Sequence, residues 1–177
     1  MKAQLRTPVR LSAADGFSLL ETMIALGVLL IVAVGVLPLG LVAIRTTENQ
    51  GHLMARTTEY AQDKLEQLTS LAWGDTTSDT RVFPATFAGG SGLAVGGSAD
   101  PAAPANLYVD YLDIDGNVLG AAGGAPANWY YQRVWQVTNP ALNLKQTTVT
   151  ATVRAAAVGG AGLAPLSTVT ALKTFPF

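Results

Sequence analysis

The chain has 177 residues, 49% hydrophobic and 13% charged, which suits one modest domain plus one apolar segment and excludes a large multidomain enzyme. A formal net charge of −1 supplies no basic field to hold a nucleic acid by its phosphates. With no Cys and a single His, His52, there is no disulfide, thiolate metal site or His-rich zinc constellation, so a folded domain must hold by packing.

Residues 1–16 carry Lys2, Arg6 and Arg10 against Asp15, a net +2, whereas residues 17–177 carry the remaining 8 basic and 11 acidic groups, a net −3. The bias of Lys and Arg toward the cytoplasmic side predicts that the N-terminus stays inside and the long C-terminal part crosses. From Thr22 to Ile44 no residue is formally charged. As a helix this stretch reaches roughly 35 Å, against a hydrocarbon core of about 30 Å. A secretory signal peptide has a shorter apolar region ending in a small-residue cleavage site, but here the run leads into Arg45 and a polar helical pattern.

Glu21 stands at the mouth of this run. Ser18-Leu19-Leu20-Glu21 matches a capping box, in which the Ser and Glu side chains each satisfy a free N–H at a helix start. A carboxylate in the first turn also complements the helix dipole. Within a span, however, a charged group costs up to about 2.5–3.5 kcal/mol and marks a functional position with a partner.

Gly16, followed by Phe17, Ser18, Glu21 and about twenty apolar residues, resembles the class III signal of type IV prepilins and of the pseudopilins of type II secretion. The resemblance implies a leader over 1–16, cleaved between Gly16 and Phe17 by a membrane-embedded prepilin peptidase, with N-methylation of the new Phe17 amine. Asp15 departs from the pattern, since a Lys or Arg is common beside the cleavage glycine. The resemblance further implies an assembly role for Glu21, whose carboxylate would meet the N-terminal amine of a neighbouring subunit as helices 17–44 bundle into a filament. A lone buried charge is costly and a paired one much less so, which favours that register. Pro38, 22 positions into the expected mature chain, also fits the family, and its missing N–H allows a kink or melted stretch, aided by Gly35 and Gly40.

Residues 45–73 read as an amphipathic continuation of the helix. Ala61, Leu65, Leu68 and Ala72 form its apolar stripe, Glu59, Asp63, Lys64, Glu66 and Gln67 occupy other faces, and Gly74 is the expected C-terminal cap. The stretch Ala61 to Leu68 resembles the segment after the span in minor pilins and minor pseudopilins, which favours a minor subunit. Residues 74–177 are expected to form a β-rich domain. Its first part, 74–106, is a Gly-, Pro- and Ser-rich loop with a short strand at Val82-Phe83, and a second glycine-rich connection runs from Gly120 to Pro126. Strands are expected over Leu107–Ile114 and Asn117–Leu119 around a type I′ turn at Asp115-Gly116, then over Trp129–Thr138, Leu144–Ala156 and Ser167–Phe175. The prediction is an α+β fold, a long helix packed on an antiparallel sheet of about four strands, and the pairs around 129–137 and 144–153 resemble the sheet of minor pilins.

Asp110, Asp113, Asp115 and Asn117 suggest a calcium loop, but Tyr111 falls at a ligand position and no Glu follows, so a solvated turn is favoured and no metal site is assigned. Trp129, Tyr130, Tyr131 and Trp135 suit core and edge packing better than an adhesive face. His52, with Glu48 and Arg56 four residues to either side, is an ordinary helix face, and no nucleophile–base pair or cofactor is indicated. The expected chain is a substrate of the peptidase and methyltransferase rather than an enzyme. Its partners would be other pilin or pseudopilin subunits and an inner-membrane assembly platform. The alternatives are a minor pseudopilin of type II secretion and a single-span anchored binding domain that does not polymerise.

Overall fold

A computed structural model describes residues 18–120, 124–154 and 164–175. Among these residues helix α1 runs Leu19–Ser70, and six strands follow: β1 Gly96–Gly97, β2 Val109–Leu112, β3 Val118–Gly120, β4 Tyr131–Ala141, β5 Leu144–Val153 and β6 Leu166–Thr174. The chain divides into two compact units, 1–46 and 47–177.

In the second unit all pairings are antiparallel, in the order β3-β2-β4-β5-β6, with β1 pairing β4 beyond the end of β2. The fold is α+β, the distal part of α1 packed on an antiparallel sheet. The period of two along β4 and β5 decides which residues meet the helix. Trp135, Val137, Val149 and Ala151 close on Ala61 and Leu68, while Tyr131, Leu112 and Val153 close on Tyr60. Burying a side chain such as Leu68 contributes about 1.5–3 kcal/mol. On the opposite face Val109, Tyr111 and Val134 pack with Leu119 and Trp129. There Thr148 bonds Thr170 at 3.1 Å and Thr150 bonds Thr168 at 3.0 Å, cross-strand pairs that hold β6 to β5.

Four expectations are corrected. Gly74 does not cap the helix, which ends at Ser70. Lys173 of β6 instead donates to the carbonyls of Thr69 and Leu71, supplying the donors that a helix C-terminus lacks. Lys173→Met is therefore expected to cost about 1–2 kcal/mol and to speed amide hydrogen exchange around the helix end, and an unchanged exchange rate there would refute the cap. Val82-Phe83 is not a strand. It lies in a loop closed by the bridge Asp79↔Thr86, with Phe83 pointing to solvent, while the short β1 forms where only loop was expected. Gly97 explains why that strand is glycine: at φ +85° an added Cβ would stand 2.2 Å from the Trp135 carbonyl oxygen.

The turn between β2 and β3 is not type I′, because Gly116 (φ +89°) has a positive φ and Asp115 does not. Asp113 and Asn117 pair through Asp113 N–H donating to the Asn117 carbonyl (3.0 Å), and Gly116 N–H donates to the Asp113 carbonyl (3.2 Å). This is a three-residue loop with its glycine in the left-handed position. Asp113 Oδ1 fixes it by accepting the N–H groups of Asp115 and Asn117 at 2.9 and 2.8 Å.

Candidate functional site

Gly16 and Phe17 lie outside the described residues. Glu21 sits in the first turn of α1, where its N–H donates to Ser18 Oγ at 3.2 Å. Only this half of the expected capping box forms, and the Glu21 carboxylate has no hydrogen bond or ion pair among the described residues. Every large apolar side chain from Leu19 to Ile44 is at least 55% exposed. A helix apolar on all faces with nothing covering it has the composition of a membrane span, and α1 is long enough for one. Pro38, where a kink or a melted stretch is allowed, lies inside α1, and the helix continues through it. The neighbouring turns keep their bonds, and proline removes only one.

The second unit has a buried polar core that the sequence reading missed. Lys64, expected on a face other than the apolar stripe, is fully buried, in line with Ala61 and Leu68 of that stripe. Its Nζ donates to Asp110 Oδ2 at 2.9 Å, to Gln67 Oε1 at 3.1 Å and to the Thr80 carbonyl, and lies 4.1 Å from the Trp135 ring centroid. Arg133 grips the same carboxylate with two bonds of 2.8 Å. Helix, β2, β4 and the long loop thus meet at Asp110. Burial alone would raise the Asp110 carboxyl, but the charges and hydrogen bonds of Arg133 and Lys64 hold it below the usual range. Burial also pushes Lys64 down to about 8, against the attraction of Asp110.

Asp110 is therefore taken up by these cations, and Asp113 by its own turn, where Asn117 Nδ2 also donates to Oδ2 at 2.9 Å. The acidic residues of this hairpin do not converge, and no group of three or more His, Cys, Asp or Glu among the described residues is placed to hold a metal. Trp135 and Tyr131 are buried in the core, Tyr131 edge-on to Tyr60 with centroids 4.8 Å apart, whereas Trp129 and Tyr130 are half-buried. His52 is exposed on α1. In comparisons with models of protein families, with curated proteins and with solved structures, no match was found.

Proposed function

We propose that the chain is a minor type IV pilin-like structural subunit, processed by a prepilin peptidase and assembled through residues 17–44 into a pilus that it primes, caps or modifies. The observation that carries this reading is the joining of Gly16-Phe17-Ser18-Leu19-Leu20-Glu21 to a helical stretch, 19–44, whose large apolar side chains are all exposed and whose one carboxylate, Glu21, has no hydrogen bond or ion pair among the described residues. Before assembly the lipid covers that surface, with the N-terminus cytoplasmic and residues 47–177 periplasmic, as the +2 and −3 charge balance favours. In the filament other helices cover it. The same features serve a minor pseudopilin of type II secretion, which shares this processing and the helix-by-helix assembly.

The test is the intact mass and first residue of the membrane-extracted protein from a host that has a prepilin peptidase. The expected chain begins at N-methylated Phe17, and Gly16→Ala is expected to retain residues 1–16. An intact Met1 chain, or normal processing of Gly16→Ala, would transfer the assignment to a single-span anchored domain that does not polymerise.

A further inference from the structure

Beside the distal part of α1 lies a cleft of about 770 Å³, lined by Tyr60, Asp63 and Glu66 of the helix, Gly116 and Asn117 of the hairpin turn, and Phe83 of the long loop. All of these belong to the second unit. From its geometry we infer that the cleft receives a lysine or arginine side chain presented by a different protein.

Three features point to a cation on an aliphatic stem. Asp63 and Glu66 are exposed carboxylates, one turn apart on the helix, and neither forms an ion pair among the described residues. Tyr60 is 6% exposed and borders the cleft, yet its hydroxyl has no hydrogen bond among the described residues. It stands against the turn, where a Cβ on Gly116 would lie 2.5 Å from it. The hydroxyl is not shut off from solvent, so a ligand N–H entering the cleft can reach and bond it. Burial raises the Tyr60 pKa, so the phenol stays neutral and able to accept. Phe83 is 84% exposed at the cleft's rim, where its ring can flank an aliphatic stem or face a cation. The ring sits on a braced loop: Asp79 and Thr86 exchange backbone bonds of 2.8 and 3.1 Å, and Arg81 grips Asp79 with two bonds of 2.8 Å. Arg133 also borders the cleft, but its guanidinium is turned onto Asp110.

A second copy of this unit is a poor source of the cation because the unit's own cations are engaged. Arg56 pairs with Glu59, Lys64 and Arg133 with Asp110, and Arg81 with Asp79. Lys145, Arg154 and Lys173 donate to backbone carbonyls. These are all the Lys and Arg residues of 47–177, so a second copy of the unit could fill the cleft only by dismantling its own contacts. The inference is independent of the assembly role assigned to the N-terminal helix.

The experiment is an NMR titration of the full chain in zwitterionic detergent micelles with the peptide acetyl-Ala-Arg-Ala-amide, and with acetyl-Ala-Gln-Ala-amide as the neutral comparison. Saturable shifts are expected at the Tyr60 ring and the Asn117 side-chain amide for the arginine peptide only, with a Kd on the order of 1 mM at low salt. The Asp63→Asn/Glu66→Gln double variant is expected to weaken binding about tenfold while leaving the Trp135 and Val149 core signals in place. Absence of saturation, an equal response to the glutamine peptide, or unchanged affinity in the double variant would overturn the inference. So would peptide-free, concentration-dependent shifts that vanish in Arg45→Gln, since a second copy would then be the occupant.

Discussion

Asp110→Ala is expected to lower the unfolding free energy of the second unit by about 3–5 kcal/mol, a large part of the 5–15 kcal/mol typical of a whole domain. The substitution removes the one carboxylate between Lys64 and Arg133 and leaves two like charges buried near each other. Lys64 keeps Gln67 and the Thr80 carbonyl, but Arg133 loses both of its hydrogen bonds to Asp110. Lys64→Met is expected to cost less, because Asp110 then retains the two bonds from Arg133 and a flexible apolar side chain fills the space against Trp135. Denaturant unfolding of the full chain in micelles measures both variants, and a loss in Lys64→Met equal to or larger than that in Asp110→Ala would refute Asp110 as the keystone of the cluster.

The same cluster fixes a pH dependence. The native Asp110 carboxyl binds its proton more weakly than the unfolded one, so its stabilising contribution is present above about pH 4 and is lost as pH falls through the native value. Asp110→Asn should flatten that acid limb. Lys64 acts at the other end. Its native pKa is lowered from 10.5 to about 8, so between those values the unfolded chain holds more protons, and stability contributed by this site rises with pH. The charged lysine is thus held at a net cost at neutral pH, which the carboxylate offsets only in part.

The parts of the fold that follow from periodicity were legible in the sequence. The apolar run, the helix after it, and the alternation of Val149, Ala151 and Val153 with Thr148, Thr150 and Thr152 each have one physical reading, and β5 and β6 fall within a few residues of their expected positions. The polar core was hidden because it breaks the rule that charges face water. Lys64 stands at the third residue after Ala61 and the fourth before Leu68, the spacing of the buried stripe, and that spacing was the available signal. Its long-range partners, Asp110 and Arg133, are separated from it by 46 and 69 positions, so no local pattern names them. Gly96-Gly97 reads as a loop because glycine disfavours strands in general. It pairs with β4 because the backbones there approach too closely for a Cβ.

Glu21→Ala is expected to be inserted and processed normally yet to fall more than about tenfold in sheared fibres, on the assembly role proposed above. Normal insertion follows because the change removes a charge from the start of an already sufficient apolar run. Helix loss is not the reason for the assembly defect, since the bond at this turn is from Glu21 N–H to Ser18 Oγ and survives in the variant. What disappears is the carboxylate, which makes no ion pair within the described chain and is available to the amine of a neighbouring Phe17. A buried amine facing alanine keeps its desolvation cost without an offsetting charge, so each variant subunit weakens its contact with the next. Glu21→Gln separates charge from size: it preserves the shape and a hydrogen-bond acceptor, and is expected to assemble poorly as well. Fibres containing wild-type amounts of the glutamine variant would show that shape and polarity suffice. Wild-type amounts of both variants would remove Glu21 from assembly altogether and leave the apolar surface of 19–44 as the determinant of packing.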